Sequence, residues 1–298
     1  MKLARRELLR GGAALALLGA APAVARGRAP LGLADITVIK ELARDYPGTL
    51  RQVAAMGYTH FGFRLASFGS SASELAPQDK ARAVREAGLK VGVVRFSAIN
   101  ADYDKQIVQA AAIGAQTIAM TAAPVFISRQ LGVATRAAFD AWLPQLAALG
   151  AKCRAAGLRF VYHTHWWDFM PLEGGEAPLD IIARTMSPAD VAFEVDLAWC
   201  WYGGVAPLDL LARLGERVAS MHFKDIDRAR GKSITDHAVV IGSGEMDYAA
   251  LLPRIRRVTS AVGYIEVDSP DDGLAAAAAG ARYFRDNRRG LPRVPALR

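Results

Sequence analysis

The stretch Ala155-Ala156-Gly157-Leu158-Arg159-Phe160-Val161-Tyr162-His163-Thr164-His165 carries the pattern from which the rest of the chain can be read. A helical segment stops at a glycine, which supplies left-handed backbone, and the β-rich run that follows reads as a buried parallel strand. The same junction recurs upstream, where Ala55-Met56-Gly57 leads into 59–64, Glu86-Ala87-Gly88 into 90–96, and Ala112-Ile113-Gly114 into 117–123. With 33–39, 191–199, 218–225 and 263–268 added, the runs make eight strands. Helices are expected at 47–56, 72–87, 102–113, 136–156, 178–186, 207–214, 247–259 and 272–287. Several open on a cap or first-turn proline, such as Asp102, Pro178 and Pro207. Eight strand–helix units over residues 32–287 predict an α/β fold, a single (β/α)8 TIM barrel. A doubly wound sheet would place a phosphate-binding glycine loop after its first strand, and none follows 33–39. The long connections 124–135 and 226–246 belong, in such a barrel, to the face that carries active sites.

Composition agrees with one large core: 298 residues, 52% hydrophobic and 22% charged, which excludes wholesale disorder. The formal charge of +8 invites a nucleic-acid reading, but its distribution removes that reading. Residues 1–28 carry +5 and residues 288–298 carry +4, so the body between them sums to −1 and has no overall attraction for a polyanion. No nucleic-acid partner is expected. At the N-terminus, Arg5-Arg6-Glu7-Leu8-Leu9-Arg10 precedes an uncharged run from Gly11 to Ala21 and then Pro22-Ala23-Val24-Ala25. That is the plan of a cleavable signal peptide over 1–25 with a twin-arginine start, which predicts the twin-arginine export machinery as a partner and a periplasmic location. The tail 288–298 reads as basic and irregular. Cys153 and Cys200 are the only cysteines and read as buried small hydrophobes rather than a disulfide.

Charged residues inside barrel strands are the informative exceptions. Strand five ends Tyr162-His163-Thr164-His165, strand six Phe193-Glu194-Val195-Asp196, strand seven Met221-His222-Phe223-Lys224-Asp225, and strand eight Ile265-Glu266-Val267-Asp268. With a period of two, His163/His165, Glu194/Asp196, His222/Lys224 and Glu266/Asp268 each share the inner face. Imidazoles and carboxylates converging from four strands suit a divalent cation, with mixed N/O ligation favouring Mn²⁺, Zn²⁺ or Co²⁺ over Ca²⁺. A buried ion-pair network around Lys224 would satisfy the same charges without a metal.

These segments resemble the sugar phosphate isomerase/epimerase family of the xylose-isomerase-like barrels. Tyr162-His163-Thr164-His165-Trp166-Trp167-Asp168-Phe169 is similar to that family's YHNHxxEF. Glu194-Val195-Asp196-Leu197, His222-Phe223-Lys224-Asp225, Gly242-Ser243-Gly244 and Glu266-Val267-Asp268 fit as well. The resemblance implies one metal ligand from each of strands five to eight, here His163, Asp196, His222 and Glu266, with His163 and His165 both open as the first. It also implies a substrate contact at Arg228. Trp167, Trp199 and Asp268 are further candidates for binding substrate, the tryptophans through the C–H faces of a sugar.

Two departures matter. Family epimerases shuttle a proton between two glutamates, and His163 stands where one of them would be; the D-x-x-H motif becomes Asp196-Leu197-Ala198-Trp199. A polarised carbonyl with one remaining base can still lose an α-proton. Glu266 and His165 are the candidate bases, and Lys224 a candidate donor. The expectation is a metal-dependent, isomerase/epimerase-like enzyme acting on an unphosphorylated sugar or keto-sugar. Elimination from a keto-glycoside or dehydration on the same site (a lyase) is the first alternative, and a degenerate periplasmic sugar-binding barrel the second.

Overall fold

The structure, a computed structural model, describes residues 30–66, 75–97, 102–127, 134–231 and 234–287. The expected signal peptide and basic tail lie outside them. Every strand–helix junction picked out above by its glycine is present, with Gly57, Gly88, Gly114 and Gly157 at φ of 101°, 79°, 68° and 75°, the left-handed region that ends a helix.

Eight parallel strands close into a barrel: β1 (Leu31–Ala34), β2 (His60–Arg64), β3 (Lys90–Arg95), β4 (Thr117–Met120), β5 (Arg159–His163), β6 (Ala192–Asp196), β7 (Val218–Phe223) and β8 (Val262–Ile265). Each pairs with its sequence neighbours, and β8 closes against β1. Eight helices follow the strands: α1 (Tyr46–Ala55), α2 (Pro77–Glu86), α3 (Tyr103–Ala112), α4 (Arg136–Ala155), α5 (Pro178–Thr185), α6 (Pro207–Leu214), α7 (Tyr248–Val258) and α8 (Gly273–Asn287). The expected TIM barrel is the fold. Among the described residues no helix is long and apolar enough to cross a membrane.

Several strands end short of the expected ranges, and at two of them an aspartate is the reason. The first strand stops at Ala34, and a 3-10 turn Asp35–Val38 leads into a short helix, Ile39–Arg44. The Asp35 carboxylate accepts the Arg64 backbone N–H at 2.9 Å and its guanidinium at 2.8 Å, turning the chain over the end of β2. The sixth strand stops at Asp196, whose Oδ1 accepts the N–H groups of Ala198 and Trp199 at 3.0 and 3.1 Å. This N-cap starts a helix, Leu197–Tyr202, so Trp199 leaves the strand.

Inside the barrel, Val93, Ala119, Val161, Ala192 and Tyr264 form a separate apolar layer. The Tyr264 ring crosses the barrel and its hydroxyl accepts the Val93 N–H at 3.2 Å. A Cβ at Gly32 would overlap that ring, which is why β1 has no side chain there. Outside, Phe223 packs on Phe284 of α8 with ring centroids 5.8 Å apart, as expected for a residue between two inward ones. Two residues further along the strands from the apolar layer, the interior becomes polar: Arg95, His163, Glu194 and Glu266 are all buried. Cys153 and Cys200 are buried free thiols, matching their reading as small hydrophobes.

Candidate metal centre

Strand register brings the polar pairs together. His163 on β5 stands opposite Glu194 on β6, and Asp196 opposite His222 on β7. Glu266 and Asp268 follow β8, where Glu266 donates its N–H to the Phe223 carbonyl at 3.2 Å. The side chains of Asp196, Glu194, His222 and Lys224 are at most 1% exposed, while Asp268 reaches 28%.

Lys224 is the cation of the upper half. Its Nζ lies 2.6 Å from Glu266 Oε1 and 3.2 Å from both Asp196 Oδ2 and Asp268 Oδ2, with the Trp199 ring centroid 5.0 Å away. Below it, Arg95 Nη2 donates to Glu194 Oε1 at 2.6 Å and Ser220 Oγ to Glu194 Oε2 at 2.7 Å. Glu194 Oε1 also faces His163 Nδ1 at 3.1 Å and His222 Nε2 at 2.9 Å.

This donor set fits a divalent cation. His163, Asp196 and His222 each offer one ligand atom within 4.8 Å of the others. Asp196 Oδ2 and His222 Nδ1 are buried without a directed hydrogen bond, though they stand only 3.8 Å apart. Glu266 Oε2 is 2.9 Å from the same His222 Nδ1. Both atoms have ionic neighbours, Lys224 Nζ 3.2 Å from Asp196 Oδ2 and Glu266 beside His222 Nδ1, so the ion-pair network around Lys224 is present and a bound cation would share its carboxylates.

Titration follows from the same crowding. Burial opposes a charge on His222, but Glu266 and Glu194 more than offset it and lift the ring to about 9. Burial likewise opposes ionisation of Glu266, and His222 and Lys224 overcome it, holding the carboxyl well below its usual range. His163 and His165 move the other way: burial lowers both, with the neighbouring His222 and His163 respectively adding to it. His165 is therefore neutral. Its Nδ1 is buried with no hydrogen bond, and its ring stacks on Trp167 at 4.4 Å.

The remaining candidates take different places. Trp167 and Trp199 are each only 3% exposed, one beneath His165 and the other over Lys224. Arg228 is half exposed and lies on Trp201 at 4.4 Å and Tyr202 at 5.5 Å, with Glu245 3.7 Å away. Its contacts are with this aromatic rim, not with the four-strand cluster. Arg95, Ser220 and Asp225 belong to the site's framework and were not anticipated. Asp225 accepts four backbone N–H groups, from Ile226, Gly242, Gly244 and Met246. It thereby gives Gly242-Ser243-Gly244 a structural explanation.

Asp168 supports His165 from behind, accepting its N–H at 2.7 Å and the Tyr162 hydroxyl at 2.6 Å. Burial raises its pKa to about 7, despite these two donors. The unfolded chain sheds this proton near pH 4, while the folded chain keeps it to about 7. The stability it contributes is therefore full below pH 4 and lost as pH rises to 7. Asp168→Asn mimics the protonated acid, so denaturant unfolding should show the wild type losing ~2–3 kcal/mol relative to this variant between pH 5 and 7. A flat difference would mean that Asp168 is already ionised.

The model of the family described as xylose isomerase-like TIM barrel matches residues 20–287. No curated protein sequence matches the chain. Among solved structures, a sugar phosphate isomerase/epimerase from Parabacteroides distasonis is similar at a TM-score of 0.72 and 18% identity, over 87% of this chain and 97% of that one. An L-ribulose 3-epimerase is similar at 0.66 and 14%, over 89% and 96%. The IOLI protein with a bound zinc atom is similar at 0.65 and 12%, over 89% and 100%. At these identities the likeness is one of fold.

Proposed function

Since the chain belongs to the xylose isomerase-like TIM barrel family, we propose that it is a divalent-metal-dependent enzyme that removes a proton α to the carbonyl of an unphosphorylated sugar or keto-sugar. The observation that carries this reading is the convergence of His163, Asp196 and His222 at the polar end of the barrel, each offering one ligand atom within 4.8 Å of the others. His163, Asp196, His222 and Glu266 would hold the ion, and two nitrogens with two carboxylates suit Mn²⁺, Zn²⁺ or Co²⁺. Bound there, the ion supplies Lewis-acid polarisation of a substrate oxygen.

The protein's own groups then divide the proton work. Both Glu266 oxygens face cationic or ligand groups, Lys224 and His222. His165 instead keeps an uncommitted Nδ1 in a neutral ring, which makes it the base in this reading. It takes the α-proton, and the electron pair of the C–H bond moves to the carbonyl oxygen. Lys224, held between Glu266 and Asp268, is the donor that returns a proton to carbon in an isomerisation or protonates a departing β-substituent in an elimination. Elimination needs the fewer groups, because it requires no second base on the opposite face of the substrate carbon. The twin-arginine pattern of residues 1–25 supports a periplasmic location for this activity, where phosphorylated sugars are uncommon.

Incubation of metal-loaded enzyme with a keto-glycoside in deuterium oxide tests the proposal. Release of the aglycone marks elimination; deuterium in a recovered sugar without release marks isomerisation or epimerisation. Neither event with any keto-sugar would reduce the protein to a binding barrel. His165→Asn should lower deuterium exchange ~100-fold or more with metal affinity unchanged, whereas Glu266→Gln should weaken metal binding. The reverse pattern would make Glu266 the base.

A further inference from the structure

We propose that Arg64 and Lys80 form an anchor for a carboxylate at one end of the substrate. The sugar of the reading above, on which this inference rests, is then an acidic one of the uronic or aldonic kind. The starting observation is a buried cation without an acid. Lys80, in the first turn of α2, is 4% exposed. Among the described residues its Nζ makes one hydrogen bond, to the Arg64 carbonyl at 3.1 Å, and no carboxylate lies within ion-pair distance. Lysine is seldom buried unless paired, because taking an ammonium out of water is costly. The adjacent Ala81 and Val84 are buried and apolar, and an apolar residue at 80 would avoid that cost. Asp35 is committed to Arg64: its Oδ1 accepts from Nη1 at 2.8 Å and its Oδ2 from the backbone N–H at 2.9 Å. One carboxylate thus serves two cations. Burial lowers the Lys80 pKa, and Asp35 only partly offsets it.

The pair stands where a substrate in the barrel would meet it. Gly62 faces inward, since a Cβ there would lie 2.9 Å from Arg95 Nη1 and 3.6 Å from the Tyr264 ring. Arg64, two residues on, shares that face. Its register partner is Arg95, which crosses the barrel to Glu194 at 2.6 Å and so has its counter-ion. Arg64 stays at the end of β2 with its side chain 18% exposed, beside Asp35 at 10%. β2 lies four strands from β6 in either direction round the barrel, so this cationic edge is opposite the strand of Asp196. A sugar lying across the mouth would have one end at the proposed ligand set and the other at Arg64 and Lys80. A neutral hydroxyl there leaves the surplus charge unanswered, whereas a carboxylate answers it with charge-assisted hydrogen bonds. A phosphate shares that chemistry, and the two are told apart by experiment.

Isothermal titration of D-glucose, D-glucuronate and glucose 6-phosphate into wild type, Lys80→Met and Lys80→Arg tests the anchor, each protein with Zn²⁺ supplied and after chelation. Wild type should bind glucuronate ~10–100-fold more tightly than glucose. Lys80→Met removes the charge and keeps an unbranched chain, so it should bring the two affinities within about threefold and leave that for glucose unchanged. Lys80→Arg should keep most of the preference. In NMR of lysine-labelled wild type, the Lys80 signal, identified by its loss in Lys80→Arg, should move with glucuronate and not with glucose; this decides the matter if Lys80→Met does not fold. Equal affinities for glucose and glucuronate in wild type, or a preference that survives Lys80→Met, would overturn the anchor and leave the sugar reading standing. A preference seen only with Zn²⁺ would assign the carboxylate to the metal and overturn it too. Tighter binding of glucose 6-phosphate than of glucuronate would overturn the choice of a carboxylate. Binding of none of the three would overturn the sugar reading, and the anchor with it.

Discussion

Replacing Asp196 by asparagine should remove high-affinity metal binding and lower turnover ~10³-fold or more, with little change in the stability of the metal-free protein. Asp196 has two separable jobs. Its Oδ1 caps the helix Leu197–Tyr202, and an asparagine carbonyl can keep that bond. Its Oδ2 has no directed hydrogen bond and faces Lys224 Nζ at 3.2 Å and His222 Nδ1 at 3.8 Å. An amide there is neutral and presents a donor toward a cation and a ligand lone pair. Loss of a residue one step removed from a metal costs ~10–100-fold in affinity, so a direct ligand should cost at least the upper end. Lewis-acid polarisation contributes several kcal/mol, which corresponds to the ~10³-fold in rate. In the metal-free state the buried cluster carries more acids than fixed cations, and removing one relieves that imbalance while Lys224 keeps Glu266 and Asp268. Thermal unfolding with and without Zn²⁺ separates the two jobs. The wild-type Tm should rise with added metal by mass action, and that of Asp196→Asn should not. Equal metal-induced shifts in both proteins would remove Asp196 from the ligand set.

The barrel was legible because its signals are local. A helix, a glycine and an apolar run repeat, and the glycines at 57, 88, 114 and 157 take the left-handed conformation that makes the repeat work. The four polar strand ends were legible because period-two alternation fixes which side chains share the interior. What was missed depends on distant partners. Arg95 ends a strand in the way many solvent-facing arginines do, and its counter-ion Glu194 is remote in sequence, so only closure of the barrel reveals a buried pair. Asp35 and Asp196 ended their strands early through carboxylate bonds to backbone N–H groups. The second was readable as an N-cap before the helix-compatible run Leu197–Tyr202; the first acts on Arg64, a strand away. Arg228 shows the converse. A position carried over by resemblance sits in a contact with Trp201 and Tyr202 that follows from the path of the 226–246 loop, and no local pattern encodes that path.

That loop should depend on one carboxylate. Asp225 is fully buried and accepts N–H groups at 2.9–3.1 Å from both ends of the excursion: Ile226 at its start and Gly242, Gly244 and Met246 at its return. Among the described residues the ladder between them is a two-residue pairing of Asp225–Ile226 with Ala238–Val239, too short to be stable alone. Hydrogen bonds to a charged group contribute ~1.5–3 kcal/mol each, but detaching the loop lets its N–H groups return to water and limits the total. Asp225→Ala should therefore lose ~3–5 kcal/mol of stability, and Asp225→Asn, which keeps one accepting oxygen, roughly half of that. Limited proteolysis should find new cleavage within 226–246. The proposed metal ligands stand on β5, β6 and β7 and just after β8, so metal affinity should stay within a few-fold of wild type. Turnover should fall with the rim of Arg228, Trp201 and Tyr202, whose contacts require the loop in place. Lys224 is anchored separately, its carbonyl accepting the Tyr248 hydroxyl at 2.7 Å. Retained metal binding with lost turnover would thus assign the loop to substrate binding and not to the ion. Stability and protease resistance equal to wild type in Asp225→Ala would show that the loop is held by its apolar contacts, with Ile226 and Ile241 buried beneath it, rather than by the carboxylate.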